Sequence, residues 1–245
     1  MKHFGLIGFP LGHSFSKKFF TEKFKQENID AQYDLYELAN LLELENLLTE
    51  TELYGLNVTI PYKEQVIQHL DELDDTAAEI GAVNVIKFIR KVGSLSLKGY
   101  NSDAIGFENS LAPLLKPYHQ KALILGTGGA SKAIDYTLRK LGITTTFVSR
   151  TAKPDSLTYD QLNEDILNKN LEINNASPVG TFPHADECPN IPYQFLTDKH
   201  LLFDAVYNPA ETLFLKKGKE QKAQVLNGEE MLTGQAIAAW KIWNE

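Results

Sequence analysis

The chain has 245 residues, 43% hydrophobic and 23% charged, an ordinary globular composition with interior enough for one large domain or two modest ones. A net charge of −8 argues against a nucleic-acid partner, which needs a basic face, and the single cysteine, Cys188, excludes an internal disulfide and a cysteine-rich metal site. No stretch approaches the roughly 20 apolar residues of a membrane span. The N-terminal run is broken at once by Gly5, Gly8 and Pro10, so neither a signal peptide nor an anchor is expected, and the reading is a soluble, cytoplasmic protein.

In chain order, short apolar runs alternate with helical periodicity, the pattern of an α/β fold with largely parallel sheets. Residues 3–7 read as a strand that ends at Gly8. A helix over 16–28 follows, with Phe19, Phe20 and Phe24 on one side and Lys17, Lys18, Lys23 and Lys25 on the other. Next come a strand over 33–38, a helix over 40–50 with Leu44, Leu47 and Leu48 inward, and a strand over 56–60 stopped by Pro61. Helices over 63–70 and 74–80 precede two strands, 83–90 and 95–99, joined by a turn at Val92-Gly93-Ser94. A helix over 104–115 ends before Pro117. From Lys121 the order becomes strand, glycine turn, helix, strand, and α/β material continues to about Asn227. A last helix over 229–243 spaces Met231, Leu232, Ala236, Ala239, Trp240 and Trp243 to bury a stripe. Two domains are expected, meeting near residues 100–104.

The glycine turn carries the first functional reading. Residues 122–125 are continuously apolar, as a parallel strand covered on both faces should be. Gly126-Thr127-Gly128-Gly129-Ala130 follows, then a helix to Leu141 that Gly142 can end, then a β-branched strand over 144–148. A loop without Cβ atoms lets the backbone approach a pyrophosphate, and the helix N-terminus offers it N–H groups. Ser131 stands where the third glycine of G-x-G-x-x-G would be, and many βαβ turns bind nothing, so the loop alone fits either reading. After the second strand, Ser149-Arg150-Thr151 presents a planar cation, with Lys153 close behind, where NAD-binding proteins carry an acidic residue. Arg150 suits a 2′-phosphate, which makes NADP the expected cofactor; the alternative is a solvated surface arginine.

Four polar clusters sit near predicted strand ends, where α/β folds collect ligands. Gly8-Phe9-Pro10-Leu11-Gly12-His13-Ser14-Phe15-Ser16 supplies two hydroxyls ahead of a helix, for a carboxylate or simply as a cap at Ser16. Asn57-Val58-Thr59-Ile60-Pro61-Tyr62-Lys63 presents a lysine, though isolated lysines are usually solvated. Gly81-Ala82-Val83-Asn84 and Gly99-Tyr100-Asn101-Ser102-Asp103 complete the set, and such residues often just cap turns.

In order, these clusters and five later ones resemble the shikimate dehydrogenase family over nearly the whole chain. The later ones are the Gly126–Ala130 loop, Ser149-Arg150-Thr151, Asn175-Ala176-Ser177-Pro178-Val179-Gly180, Asp204 to Tyr207, and Met231-Leu232-Thr233-Gly234-Gln235. The resemblance implies NADPH-dependent reduction of 3-dehydroshikimate to shikimate, toward the aromatic amino acids. It implies an α/β fold of two domains. Residues 1–101 plus 229–245 would form a substrate domain with a mostly parallel sheet, and 102–228 a Rossmann-like NADP domain. By matching position, Ser14 and Ser16 would hold the substrate carboxylate. Thr59, Asn84, Asp103, Tyr207 and Gln235 would contact its ring hydroxyls and carbonyl. Lys63 would be the catalytic acid/base, paired with Asp103. Gly126, Thr127, Gly128, Gly129, Ala130, Ser149, Arg150, Thr151, Lys153, Ala205 and Gly228 would line the cofactor. No metal is implied, and the chain would be a monomer or homodimer acting on a small molecule.

The chemistry is consistent with that pairing, because hydride arrival leaves negative charge on a carbonyl oxygen and a nearby ammonium stabilises it and then supplies a proton. An aspartate partner raises a lysine pKa, so either desolvation opposes it or Lys63 acts mainly as an electrostatic stabiliser. Lys17, Phe19 and Phe20 depart from the proline and His-Asn pair usual after the paired serines, which implies altered packing or oligomer contacts rather than lost catalysis. Alternatives are a quinate/shikimate dehydrogenase using NAD, and a non-catalytic NADP-binding sensor.

Overall fold

The computed structural model describes residues 1–12, 14–50 and 52–245, with every side chain among them but that of Glu50. His13, inside the first polar cluster, lies outside the described residues. The chain divides into two compact units, Met1–Ser102 with Gln235–Glu245, and Asp103–Gly234.

In the first unit, β1 (Lys2–Gly8), β2 (Ala31–Glu37), β3 (Leu53–Val58), β4 (Glu72–Leu73), β5 (Val85–Lys91) and β6 (Ser94–Tyr100) form one sheet in the order β2-β1-β3-β5-β6-β4. The β1–β2, β1–β3 and β4–β6 pairs are parallel, whereas β3–β5 and β5–β6 are antiparallel. Helical crossovers through α1 (Phe15–Gln26) and α2 (Glu43–Glu50) make the parallel part. The two-residue turn Val92-Gly93, with Gly93 at φ +77, folds β5 back against β6. One sheet face buries Ile7, Leu44, Leu56, Val66, Val83 and Ile86, and the other Phe4, Phe20, Phe24, Tyr33, Ala239 and Trp243. Because β1 is covered on both faces, its sequence reads as a near-continuous apolar run.

The helix expected over 63–70 is instead a turn followed by a single 3-10 turn, Gln65–His69. Val83 N–H bonds the Lys63 carbonyl at 2.7 Å and Asp71 N–H bonds the Leu97 carbonyl at 3.0 Å. Pinned at both ends to the sheet, the segment has no length for a second α-helical turn. The next helix, α3 (Asp75–Ile80), forms as expected; Asp74 caps it and Gly81, at φ 68, ends it in the left-handed conformation.

In the second unit, β7 (Lys121–Leu125), β8 (Thr144–Ser149), β9 (Ser156–Thr158), β10 (Glu172–Asn175), β11 (Leu201–Asp204) and β12 (Gln224–Leu226) form an all-parallel sheet ordered β12-β11-β10-β7-β8-β9. This is the doubly wound dinucleotide-fold order, with its reversal between β7 and β10. Helices α4 (Asp103–Leu111), α5 (Gly129–Lys140), α6 (Glu164–Lys169) and α7 (Leu213–Glu220) accompany it. The last helix, α8 (Glu229–Asn244), contributes residues 229–234 to this unit and 235–244 to the first. Among the described residues no helix is long and apolar enough to cross a membrane.

Candidate active site

Register in the first sheet brings distant motifs to one end. Ile7 pairs with Val58, so Gly8 and Thr59 leave neighbouring parallel strands side by side, and Thr59 N–H bonds the Ile7 carbonyl at 2.9 Å. Because β5 runs antiparallel to β3, its start lies at that same end, and Val58 N–H bonds the Asn84 carbonyl at 2.9 Å. Asn84 N–H in turn bonds the Tyr100 carbonyl at 3.1 Å, which sets Asn101 and Ser102 beside it. Lys63, half-buried, is tied to the same cluster through the bond its carbonyl accepts from Val83.

A line of buried polar side chains runs through this end. Ser16 donates to the Tyr33 hydroxyl, whose own proton goes to Asn57 Oδ1 at 2.7 Å. Asn57 Nδ2 donates to the Asn84 carbonyl at 3.3 Å. Asn84 Oδ1 accepts from Ser102 N–H at 2.7 Å, Asn84 Nδ2 donates to Ser102 Oγ at 3.0 Å, and Ser102 Oγ reaches Gln235 Oε1 at 3.5 Å. Burial pushes the Tyr33 phenol well above its ordinary value, so it stays a neutral donor. Most buried polar groups in proteins are hydrogen-bonded, and here each holds the next in a fixed sense. Ser14, not Ser16, caps α1, its hydroxyl accepting from Lys17 N–H at 3.3 Å. Ser16 is buried on the first turn, and it can donate to a ligand carboxylate by turning its proton from Tyr33, which keeps Asn57.

In the second unit, Gly126 leaves β7 at φ +122, a backbone that L side chains avoid. A Cβ there would stand 3.2 Å from the Ala176 carbonyl oxygen after β10, so the bare glycine keeps the strand-order reversal open. Gly128 precedes α5, faces open space and gives the helix no side-chain cap, leaving first-turn N–H groups for an anion. Ser131 Oγ, buried at the base of this loop, has no hydrogen-bond partner among the described residues. These features fit a pyrophosphate. Lys153 Nζ donates to Thr127 Oγ1 at 2.9 Å, and Thr151 N–H reaches Ser149 Oγ at 3.4 Å. Arg150 is exposed at the end of β8, near enough to Tyr159 to oppose the upward push of burial on that phenol. Beyond the reversal, a Cβ on Gly228 would overlap the Ala205 carbonyl, so Gly228 lies directly against Ala205.

The first unit therefore brings together Ser16, Thr59, Lys63, Asn84 and Gln235, with Ser14 capping the adjoining helix, and the second gathers the glycine loop with Thr127, Ser149, Thr151 and Lys153. Asp103 and Tyr207 belong to the second unit. Asp103 is buried in the first turn of α4, where the helix dipole favours a carboxylate, and Tyr207 is exposed after β11. Sequence reasoning assigned no role to Tyr33, Asn57, Ser102, Asn175 or Asp204. Tyr33 carries no local signal, since an aromatic residue on an alternating strand reads as core. Asn57 had one: an amide inside an apolar strand.

Residues 6–86 match the shikimate dehydrogenase substrate binding domain. A shikimate dehydrogenase (NADP(+)) of Clostridium beijerinckii is 38% identical, the match covering 100% of this chain and 93% of that protein. The crystal structure of shikimate dehydrogenase from Aquifex aeolicus superposes with a TM-score of 0.87 at 35% identity, covering 99% of this chain and 92% of the other. That of the Thermus thermophilus shikimate 5-dehydrogenase in complex with NADP(H) and shikimate gives 0.85 at 28% identity, covering 99% and 93%. With identity, coverage and fold in agreement from end to end, the chain belongs to the shikimate dehydrogenase family.

Proposed function

We propose that this chain catalyses the reversible, NADPH-dependent reduction of 3-dehydroshikimate to shikimate. The observation that carries this reading is the gathering of four sequence-distant motifs and Gln235 at one sheet end, within the unit that matches a substrate binding domain. When bound, NADPH supplies a hydride to the carbonyl carbon. Ser14 and Ser16 hold the carboxylate, and Thr59, Asn84, Tyr207 and Gln235 take the ring hydroxyls, fixing which carbon is presented. Lys63 stabilises the charge developing on the carbonyl oxygen and delivers a proton to it, with Asp103 orienting the ammonium and sharing the proton. Arg150 and Lys153 hold the 2′-phosphate and select NADP over NAD.

Initial rates with NADP and NAD, each against shikimate and quinate, test the assignment. The NADP–shikimate pair is expected to dominate. A preference for NAD with quinate overturns it in favour of a quinate-oxidising relative. Tight NADP binding without turnover on either acid marks a non-catalytic sensor.

A further inference from the structure

Asn175 closes β10 and Asp204 closes the adjoining β11, directly opposite each other in register. Both are fully buried. Asp204 Oδ1 accepts from Asn175 Nδ2 at 2.9 Å and from Val206 N–H at 3.0 Å. Its Oδ2 accepts from Thr212 Oγ1 at 2.5 Å, and Thr212 also caps α7 through Leu215 N–H at 3.3 Å. Burial pushes the Asp204 carboxyl up to about 6, held back by these three donors.

Asp204 Oδ1 takes the Val206 N–H and so is an acceptor, which requires the Asn175 NH₂ to face it and the Asn175 oxygen to face away. That oxygen accepts from Ser177 N–H at 3.2 Å and from the Ser177 hydroxyl at 2.6 Å, while Nδ2 also reaches the Val179 carbonyl at 3.2 Å. Asn175 thus shapes the 176–180 loop from beneath, and Asp204 decides which way its amide points. This loop runs past the Gly126 turn, where Ala176 comes closest. Arg150 and Lys153 stand on the β8 side, so a dinucleotide laid across the reversal puts its other half over the ends of β10 and β11.

We propose that Asn175, oriented by Asp204, is a positioning residue that fixes the 176–180 loop as the docking edge for the nicotinamide-ribose half of the cofactor. This rests on the NADP reading above. Titration calorimetry of the full chain with NADP⁺ and with 2′,5′-ADP, which carries the adenosine half alone, separates the two halves. Asn175→Ala and Asp204→Ala are each expected to weaken NADP⁺ by about fivefold or more, the loss of one to two buried hydrogen bonds. Binding of 2′,5′-ADP should stay within about twofold, because its contacts lie on the β8 side. Asp204→Asn keeps an acceptor toward Asn175 and Val206 and should restore NADP⁺ binding. Equal weakening of both ligands, stronger loss of 2′,5′-ADP, or no loss of either overturns the proposal. If the alanine variants do not fold, Ser177→Ala removes the hydroxyl bond to Asn175 and the weaker one that the hydroxyl accepts from Val179 N–H at 3.4 Å, and keeps the backbone bond from Ser177 N–H. A selective NADP⁺ loss then supports the proposal and unchanged affinity overturns it. Failure of the wild type to bind either ligand would instead refute the NADP reading, a result no ratio between variants can mimic.

Discussion

Lys63 sits in a turn rather than on a helix, and its backbone is fastened to the 81–84 segment through the Val83 bond. Truncating its side chain therefore leaves the scaffold in place. Lys63→Ala is expected to lower kcat by about 10²–10⁴-fold, the usual range for a positioned proton donor, with shikimate affinity changed only a few-fold. Turnover kinetics beside shikimate titration check this, and intact turnover contradicts the assignment. Arg150 is exposed and its neighbours are polar, so Arg150→Ala should act on the 2′-phosphate alone. Loss of a charge-assisted, bidentate contact predicts NADP binding weaker by about tenfold or more, with NAD little changed. Equal losses for the two cofactors would remove the 2′-phosphate role. Among the residues that depart from the family pattern after the paired serines, Phe20 is buried and stacks on Tyr33 with centroids 4.8 Å apart, and Lys17 pairs with Asp34 at 3.5 Å.

At the scale of elements, α8 shows how close packing holds the first sheet's second face. Trp243 donates its indole N–H to the Ile86 carbonyl at 3.0 Å and lies flat over Gly55 of β3, where any Cβ would overlap the ring. Gly55→Ala must displace the indole and break that bond, so destabilisation of about 1–3 kcal/mol is expected from overpacking. A urea titration should show a lower midpoint with an unchanged slope; an unchanged midpoint would mean the helix end adapts freely. The two strands that carry most of the first-unit site, β3 and β5, also show where periodicity stopped being enough. The strand reading over 83–90 located β5, and the Gly93 turn made its pairing with β6 local. Its pairing with β3, which sets Asn84 beside Val58, joins residues far apart in the chain and carries no local signature.

For the molecule as a whole, the second sheet contains an unexpected buried carboxyl group. Glu172 opens β10 between Ala122 of β7 and Leu201 of β11, wholly buried, with neither carboxyl oxygen hydrogen-bonded among the described residues. Burial pushes its carboxyl from 4.5 up to about 8, with the nearby Asn174 amide opposing weakly. The folded state thus keeps a proton that the unfolded chain releases near pH 4.5. Between these values the unfolded state binds fewer protons at this group, so the contribution of Glu172 to stability falls as pH rises, by roughly 1.4 kcal/mol per pH unit, and levels off above about pH 8. Glu172→Gln, which stays neutral, is expected to melt at a higher temperature than wild type at pH 8, the gap closing toward pH 4.5. A gap that does not vary with pH would show that Glu172 does not titrate in this window.

Local sequence carried the vocabulary of this protein: which runs could be strands, where Gly93 and Gly142 could turn the chain, and that a bare glycine loop followed by Arg150 suited a phosphorylated dinucleotide. Those are local properties, set by backbone sterics and side-chain period within a few residues. Tertiary packing made 63–70 a turn with a short 3-10 segment, made Ser14 rather than Ser16 the cap of α1, and drew Tyr33 and Asn57 into the buried polar network of the first unit. It also set Asn175 and Asp204 facing each other beneath the 176–180 loop. The reason is physical. A polar side chain acquires its meaning from what buries it and what satisfies it, and those partners come from strands paired across tens of residues of chain.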